Sequence, residues 1–221
     1  MNIINTFLRQ SGWINPETIQ DVSVMMIGCG SVGSIICTML AKMGVGKFVL
    51  FDDDVIEEHN LPNQFFFRDE VDLPKVDALE NRIKQVSPGR VEVIKYNELF
   101  GKNHVNEFKE CDFVVLGVDS MTSRKIVKDV LLKNKRTIID ARTGGLFCAV
   151  FYVTPEKIDN WAETLDRKTL DIPCTQQTII FTLNQVAATA CALIFNEIRD
   201  NADKNHFRYD YDVENFMVLT S

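Results

Sequence analysis

Basic residues are in the minority in this chain. Its 24 lysines and arginines face 31 aspartates and glutamates, for a formal charge of −7. Nucleic-acid-binding domains ordinarily carry the opposite imbalance, so no nucleic-acid partner is expected. Histidine is scarce: His59, His104 and His206 stand at no metal-ligand spacing and read as surface or loop residues. Six cysteines occur, at 29, 37, 111, 148, 174 and 191, yet no two form a C-x-x-C pair. The usual zinc-ribbon spacing is missing, and no zinc is expected. No run approaches the roughly 18–20 apolar residues of a membrane span, and the N-terminus lacks a basic stretch leading into a long apolar one. These absences argue against a membrane partner and lead us to expect a cytoplasmic protein with reduced thiols. Without a linker, repeat or low-complexity tract, residues 1–221 read as one domain, and 46% hydrophobic residues suffice for a substantial core.

What is present is an alternation of apolar runs and helical periodicities. Short apolar strands are expected at Val22–Ile27, Lys47–Asp52, Val91–Tyr96, Asp112–Gly117 and Thr137–Ala141. Between them lie helical stretches at Gly33–Met43, stopped by Gly44 and Gly46, and at Lys75–Gln85, closed by Pro88. A third runs to Lys133 with Ser120 as its N-cap. This order predicts an α/β, Rossmann-like, mostly parallel sheet flanked by helices. The pattern then changes. A long strand, Leu146–Thr154, follows Gly144-Gly145. Pro155–Thr175 shows little periodicity, a length that is usually functional in a loop. A long apolar helix spans Thr178–Ile198, and two closing strands at Phe207–Tyr211 and Phe216–Thr220 put antiparallel structure at the C-terminal end.

Gly28-Cys29-Gly30-Ser31-Val32-Gly33 is a G-x-G-x-x-G that follows a strand and opens a helix. Glycines there permit a tight turn and close backbone approach, and the helix N-terminus favours an anion. Asp52 ends the second strand, where a carboxylate accepts ribose hydroxyls. Taken alone these residues indicate a nucleotide and would favour NAD.

The residues after Asp52 point elsewhere. Gly44 to Phe67 reads G-V-G-K-F-V-L-F-D-D-D-V-I-E-E-H-N-L-P-N-Q-F-F-F. It resembles the ThiF/MoeB/HesA family of ubiquitin-activating-like adenylyltransferases, whose pattern is G-V-G, a strand, D-x-D-x-V, then N-L-x-R-Q. Pro74-Lys75-Val76, then Val118-Asp119-Ser120 with Arg124, then the closing strands match further family elements in order. The resemblance covers nearly the whole chain. It implies ATP-dependent adenylation of the C-terminal carboxylate of a ubiquitin-like or sulfur-carrier protein ending in Gly-Gly, with ATP and Mg²⁺ as cofactors. Charge grows on the phosphates in such a reaction, which explains a lysine and a metal-binding carboxylate.

By the same resemblance Asp52 and Asp54 belong to the ribose element, and Lys75 contacts phosphate. Asp119 holds Mg²⁺, while Asn60, Asn63 and Gln64 line the site. Arg9 matches an arginine that reaches the phosphates of a partner subunit, which implies a homodimer with residues 1–20 as an N-terminal arm. Residues 155–175 correspond to a crossover loop. Within it Cys174, in Pro173-Cys174-Thr175, matches a thioester cysteine that precedes a helix, where a thiolate is favoured. Asn63 is a departure: the family arginine there is replaced by an uncharged side chain, and Arg68, Arg124 and Arg142 are the candidate substitutes. Three alternatives stay open. A non-catalytic partner subunit of a heterodimer would follow from Asn63, and an NAD-dependent oxidoreductase from the glycine loop. A tRNA-modifying relative fits poorly with the acidic charge.

Overall fold

The computed structural model describes residues 3–131, 136–166, 178–199, 208–215 and 217–221. Two short helices, α1 (Ile3–Thr6) and α2 (Pro16–Gln20), precede β1 (Ser23–Ile27), α3 (Ser31–Met43) and β2 (Lys47–Phe51). Then come α4 (Lys75–Val86), β3 (Glu92–Tyr96), α5 (Val105–Lys109), β4 (Phe113–Leu116), α6 (Met121–Leu131) and β5 (Thr137–Gly144). The chain continues through β6 (Phe147–Val153), α7 (Ile158–Thr164), α8 (Ile180–Ile198), β7 (Arg208–Asp212) and β8 (Met217–Thr220).

These strands form one eight-stranded sheet in the order β3-β2-β1-β4-β5-β6-β7-β8. From β3 to β5 all pairs are parallel. From β5 onward they are antiparallel. The change of direction is a two-residue hairpin in which Gly144 pairs with Phe147 and Gly145 takes a φ of 62°.

Strand alternation divides the core. Val24, Met26, Phe48, Leu50, Val115 and Tyr152 face one side and pack under α3, α4 and α8. Met25, Val49, Phe51, Val114 and Phe151 face the other, against Phe108 of α5, Val127 of α6 and Trp161 of α7. Every residue of β1 is buried, as a central parallel strand covered on both faces requires.

The predicted strands and long helices are all present. The prediction of little order after Pro155 is corrected: a 3-10 turn (Pro155–Lys157) leads into α7, whose Trp161 is fully buried. Residues 167–175 of the expected crossover segment, with Cys174, lie outside the described residues. His104 is also corrected, because it is buried rather than on the surface, whereas His59 is exposed beside Glu57. Among the described residues no helix is long and apolar enough to cross a membrane.

One buried charge joins three elements on the second face. Asp140 of β5 accepts from Arg124 Nε of α6 at 2.8 Å, Arg142 Nε at 2.7 Å and Trp161 Nε1 of α7 at 2.9 Å. Burial pushes its pKa up, but Arg124, Arg142 and these hydrogen bonds outweigh that, so the carboxyl sits below the usual range. A depressed carboxyl contributes stability above its unfolded pKa of about 3.9, and that stability is lost as pH falls through the folded value. Asp140→Asn should therefore cost about 3–5 kcal/mol in urea unfolding at neutral pH, since it strands two guanidiniums. The gap between variant and parent should narrow on acidification below about pH 4.

Candidate functional site

Three glycines bring β1, α3 and β4 into backbone contact. A Cβ on Gly33 would lie 2.0 Å from Gly28 O, and one on Gly28 would lie 2.9 Å from Gly117 C. Gly28 itself has a φ of 91°, in the region that favours glycine. The chain thus turns sharply out of β1, and α3 begins at Ser31 against the strand ends. Gly30 caps this helix without a side-chain acceptor, so backbone N–H groups of the first turn face the crevice.

The acidic residue after β2 ties this loop down. Asp52 accepts from the Cys29 N–H at 2.6 Å and the Asp54 N–H at 3.0 Å. Burial raises its pKa, while Lys75 and the two backbone donors pull the other way. Lys75 Nζ stands 2.6 Å from Asp54 and 4.0 Å from Asp52, with only 6% of the lysine exposed. Two backbone interactions position it: a bridge between Val55 and Pro74, and the Lys75 N–H donating to Asp54 O at 3.0 Å. Across the crevice Ser120 Oγ caps α6 by accepting from Thr122 and Ser123, as its sequence position predicts. Asp119, just before it, is exposed, and its carbonyl accepts from Arg124 Nη1 at 3.3 Å.

These groups surround one cavity of about 470 Å³. Gly28, Gly30, Ser31 and Lys75 form an anion-attracting end, and Phe51, Leu99 and Phe100 an apolar end. Asp52, Asp53, Asp54 and Asp119 lie on the same wall system. Gln64 lines it too, and its buried Oε1 has no hydrogen-bond partner. An orphaned acceptor of this kind fits a ligand donor. The spacing of an anion end, a ribose-type carboxylate and an apolar slot fits a nucleoside phosphate. Among the described residues, the one cluster of three or more metal-capable side chains is Asp52, Asp53 and Asp54. Asp119 shares the cavity but is not in that cluster.

Other expected site residues are not brought together here. Asn60 turns its Oδ1 to the Glu57 N–H at 3.0 Å, Asn63 is half-buried, and Arg68 is exposed on a 3-10 turn; none lines the cavity. Arg124 and Arg142, candidate substitutes for the missing family arginine, are committed to Asp140. Arg9 is exposed beside Gln10, which bonds to Lys42 O at the far end of α3. That places Arg9 about 20 Å along the helix from its own glycine loop. The sequence reading missed Arg82. It is buried on the Lys75 face of α4, clasps Glu70 at 2.6 and 2.8 Å, bonds Phe65 O and stacks 4.2 Å over Phe67. A signal existed: an arginine among Val76, Leu79 and Ile83 on the apolar stripe of a helix.

The glycine contact predicts its own sensitivity. Gly33→Ala should destabilise the fold by about 1–3 kcal/mol, because the methyl meets backbone that cannot swing aside. Thermal denaturation reads the loss, and Gly12→Ala, with open space around its Cβ position, is the control.

A family model described as "ThiF family" matches residues 6–217. Ubiquitin-like modifier-activating enzyme 5 of Drosophila persimilis is 39% identical over 84 residues, covering 38% of this chain and 22% of that protein. The enzyme of the same name from Xenopus laevis is 31% identical over 133 residues, covering 54% and 34%. The chain therefore spans about a fifth to a third of the length of these relatives. A crystal structure of E. coli MccB with ATP superposes with a TM-score of 0.77 at 18% identity, covering 100% of this chain and 71% of that one. At that identity the likeness is one of fold. With the family match running from residue 6 through β7 to the first residue of β8, and the glycine crevice within it, the chain belongs to the ThiF family.

Proposed function

We propose that the chain is an ATP-dependent adenylyltransferase that activates the C-terminal carboxylate of a ubiquitin-like or sulfur-carrier protein. The observation that carries this reading is the single cavity holding the glycine loop, Asp52, Lys75 and Asp119 together. The names of the relatives support the substrate class, and the crystal structure of MccB with ATP supports that nucleotide. In the reaction a carboxylate oxygen attacks the α-phosphorus of ATP. The bond from that phosphorus to the β-bridging oxygen breaks, and pyrophosphate leaves. Lys75 and the first-turn N–H groups of α3 stabilise phosphate charge, and Asp52 accepts from the ribose. Mg²⁺ would be held by Asp119 and would neutralise charge on the phosphates.

Lys75 is the one cation among the described lining residues. Triphosphate chemistry calls for more positive charge, so we assign the second cation to Arg9 of a second copy, in a homodimer. A docking face for the protein substrate is available on the open side of the antiparallel strands. There Phe147, Met217 and Leu219 are exposed around a hollow of about 340 Å³ flanked by Arg142 and Arg208. A later step would move the acyl group to Cys174. The sulfur attacks the adenylate carbonyl, the thiol proton leaves and AMP departs.

The same shortage of cations, with Asn63 in the arginine position, favours one other reading: a non-catalytic subunit supporting an active homologue. ATP–pyrophosphate exchange with Mg²⁺ and candidate Gly-Gly-terminated partners separates the two. Exchange is expected, with Lys75→Ala and Asp119→Ala each lowering it by at least about 100-fold. Absence of exchange with a partner that binds would sink the enzyme reading. A dithiothreitol-sensitive adduct should form and vanish in Cys174→Ala; an adduct that survives this change rules out Cys174.

A further inference from the structure

The apolar end of the cavity is held by a residue that does not line it. His104 is 5% exposed and ends the 3-10 turn Lys102–His104 between β3 and α5. Its ring centre lies 4.7 Å from that of Phe51 and 5.8 Å from that of Phe100, and both phenyl rings line the cavity. Its Nδ1 accepts the Gly101 N–H at 3.0 Å, and its own backbone N–H donates to Gly101 O at 3.1 Å. With Nδ1 accepting, the neutral ring carries its proton on Nε2. That atom stands 3.3 Å from a Glu98 carboxylate oxygen; Asn103 Nδ2, 3.1 Å away, is itself a donor and is not its partner in this tautomer. One imidazole thus bonds to Gly101 and lies beside Glu98, the residues on either side of the Leu99–Phe100 pair. A buried apolar side chain would fill the same space without the bond to Gly101. Leu99 lines the cavity while 64% exposed, as expected of a surface that a flat ligand covers.

We propose that His104 is a positioning residue: it fixes the Leu99–Phe100 wall against which a purine base packs, so affinity for the base depends on it and affinity for the phosphates does not. This rests on the nucleotide reading above. Because the phosphate end is built by β1, α3 and α4, disturbing the β3–α5 turn leaves that end in place.

The test is titration of the full chain, with Mg²⁺, using ATP, AMP and inorganic tripolyphosphate. His104→Phe keeps a ring but removes the acceptor, leaving the Gly101 N–H unpaired. His104→Leu also lacks the acceptor and is smaller than phenylalanine, so it serves if the phenylalanine variant does not fold. Both should lose ATP and AMP affinity by about tenfold while tripolyphosphate stays within about twofold. His104→Asn, whose Oδ1 can take the Gly101 N–H, should recover to within about threefold of the parent. Unchanged ATP binding in the acceptor-free variants overturns the proposal, as does parallel loss of ATP and tripolyphosphate, or an asparagine variant as weak as the phenylalanine one. A parent chain that binds no ATP at all overturns the nucleotide reading, and the proposal with it.

Discussion

Everything around the cavity depends on how closely three backbones approach one another. Gly28 at the end of β1, Gly33 in α3 and Gly117 after β4 meet with no room for a Cβ between them. This contact lets α3 start directly over the strand ends. It also lies where the strand order changes sense, since the chain leaves β1 for β2 and β3 on one side and later fills β4 and β5 on the other. A crevice forms at such a switch point in an open parallel sheet. Asp52 then fastens the crevice by accepting the Cys29 N–H, and Lys75 arrives against Asp52 and Asp54 from α4.

The placement of charge follows a division of labour. Arg82, Arg124 and Arg142 are largely buried and each is paired with a carboxylate. Arg82 braces the turn Phe65–Glu70 against α4. Arg124 holds α6 to β5 through Asp140, and Arg142 of β5 reaches Thr164 of α7. Buried guanidiniums of this kind need their partners, because an unpaired ion in the interior is costly. They are therefore scaffold, and Lys75 is left facing the cavity with two carboxylates beside it. A polyanionic ligand would compete with Asp54 for that ammonium, while the Asp52 side chain remains held by two backbone donors.

Much of this was legible in the residues. Apolar runs of four to six residues gave strands with the right order, and Gly44 and Ser120 marked helix ends by local backbone chemistry that needs no tertiary context. The glycine loop and Asp52 could be placed because their spacing is set by one turn and one strand length. What stayed hidden depends on long-range contacts. The α5 and α7 helices are too short for periodicity to rise above noise, and each exists because one large side chain, Phe108 or Trp161, fills the second core face. His104 and Arg82 look like surface residues until the fold surrounds them. Asn60, Asn63 and Arg68 read as site residues by motif, yet none of them lines the cavity, and Asn60 turns its Oδ1 to the Glu57 N–H.

The burial of the cysteines has a consequence for chemoselectivity. An acyl adenylate is an electrophile toward any thiolate within reach, and Cys29 sits inside the very loop that would hold it. Yet Cys29, Cys37, Cys111, Cys148 and Cys191 are all buried. Burial pushes the Cys111 and Cys191 thiols to about 12 and the Cys148 thiol to about 11, and raises Cys29 and Cys37 as well. Burial and raised pKa both disfavour the thiolate at neutral pH, so the loop cysteine is a packing atom poorly suited to trap an activated carboxylate. In the proposed reaction, acylation of these five sulfurs would thereby be suppressed by the core itself.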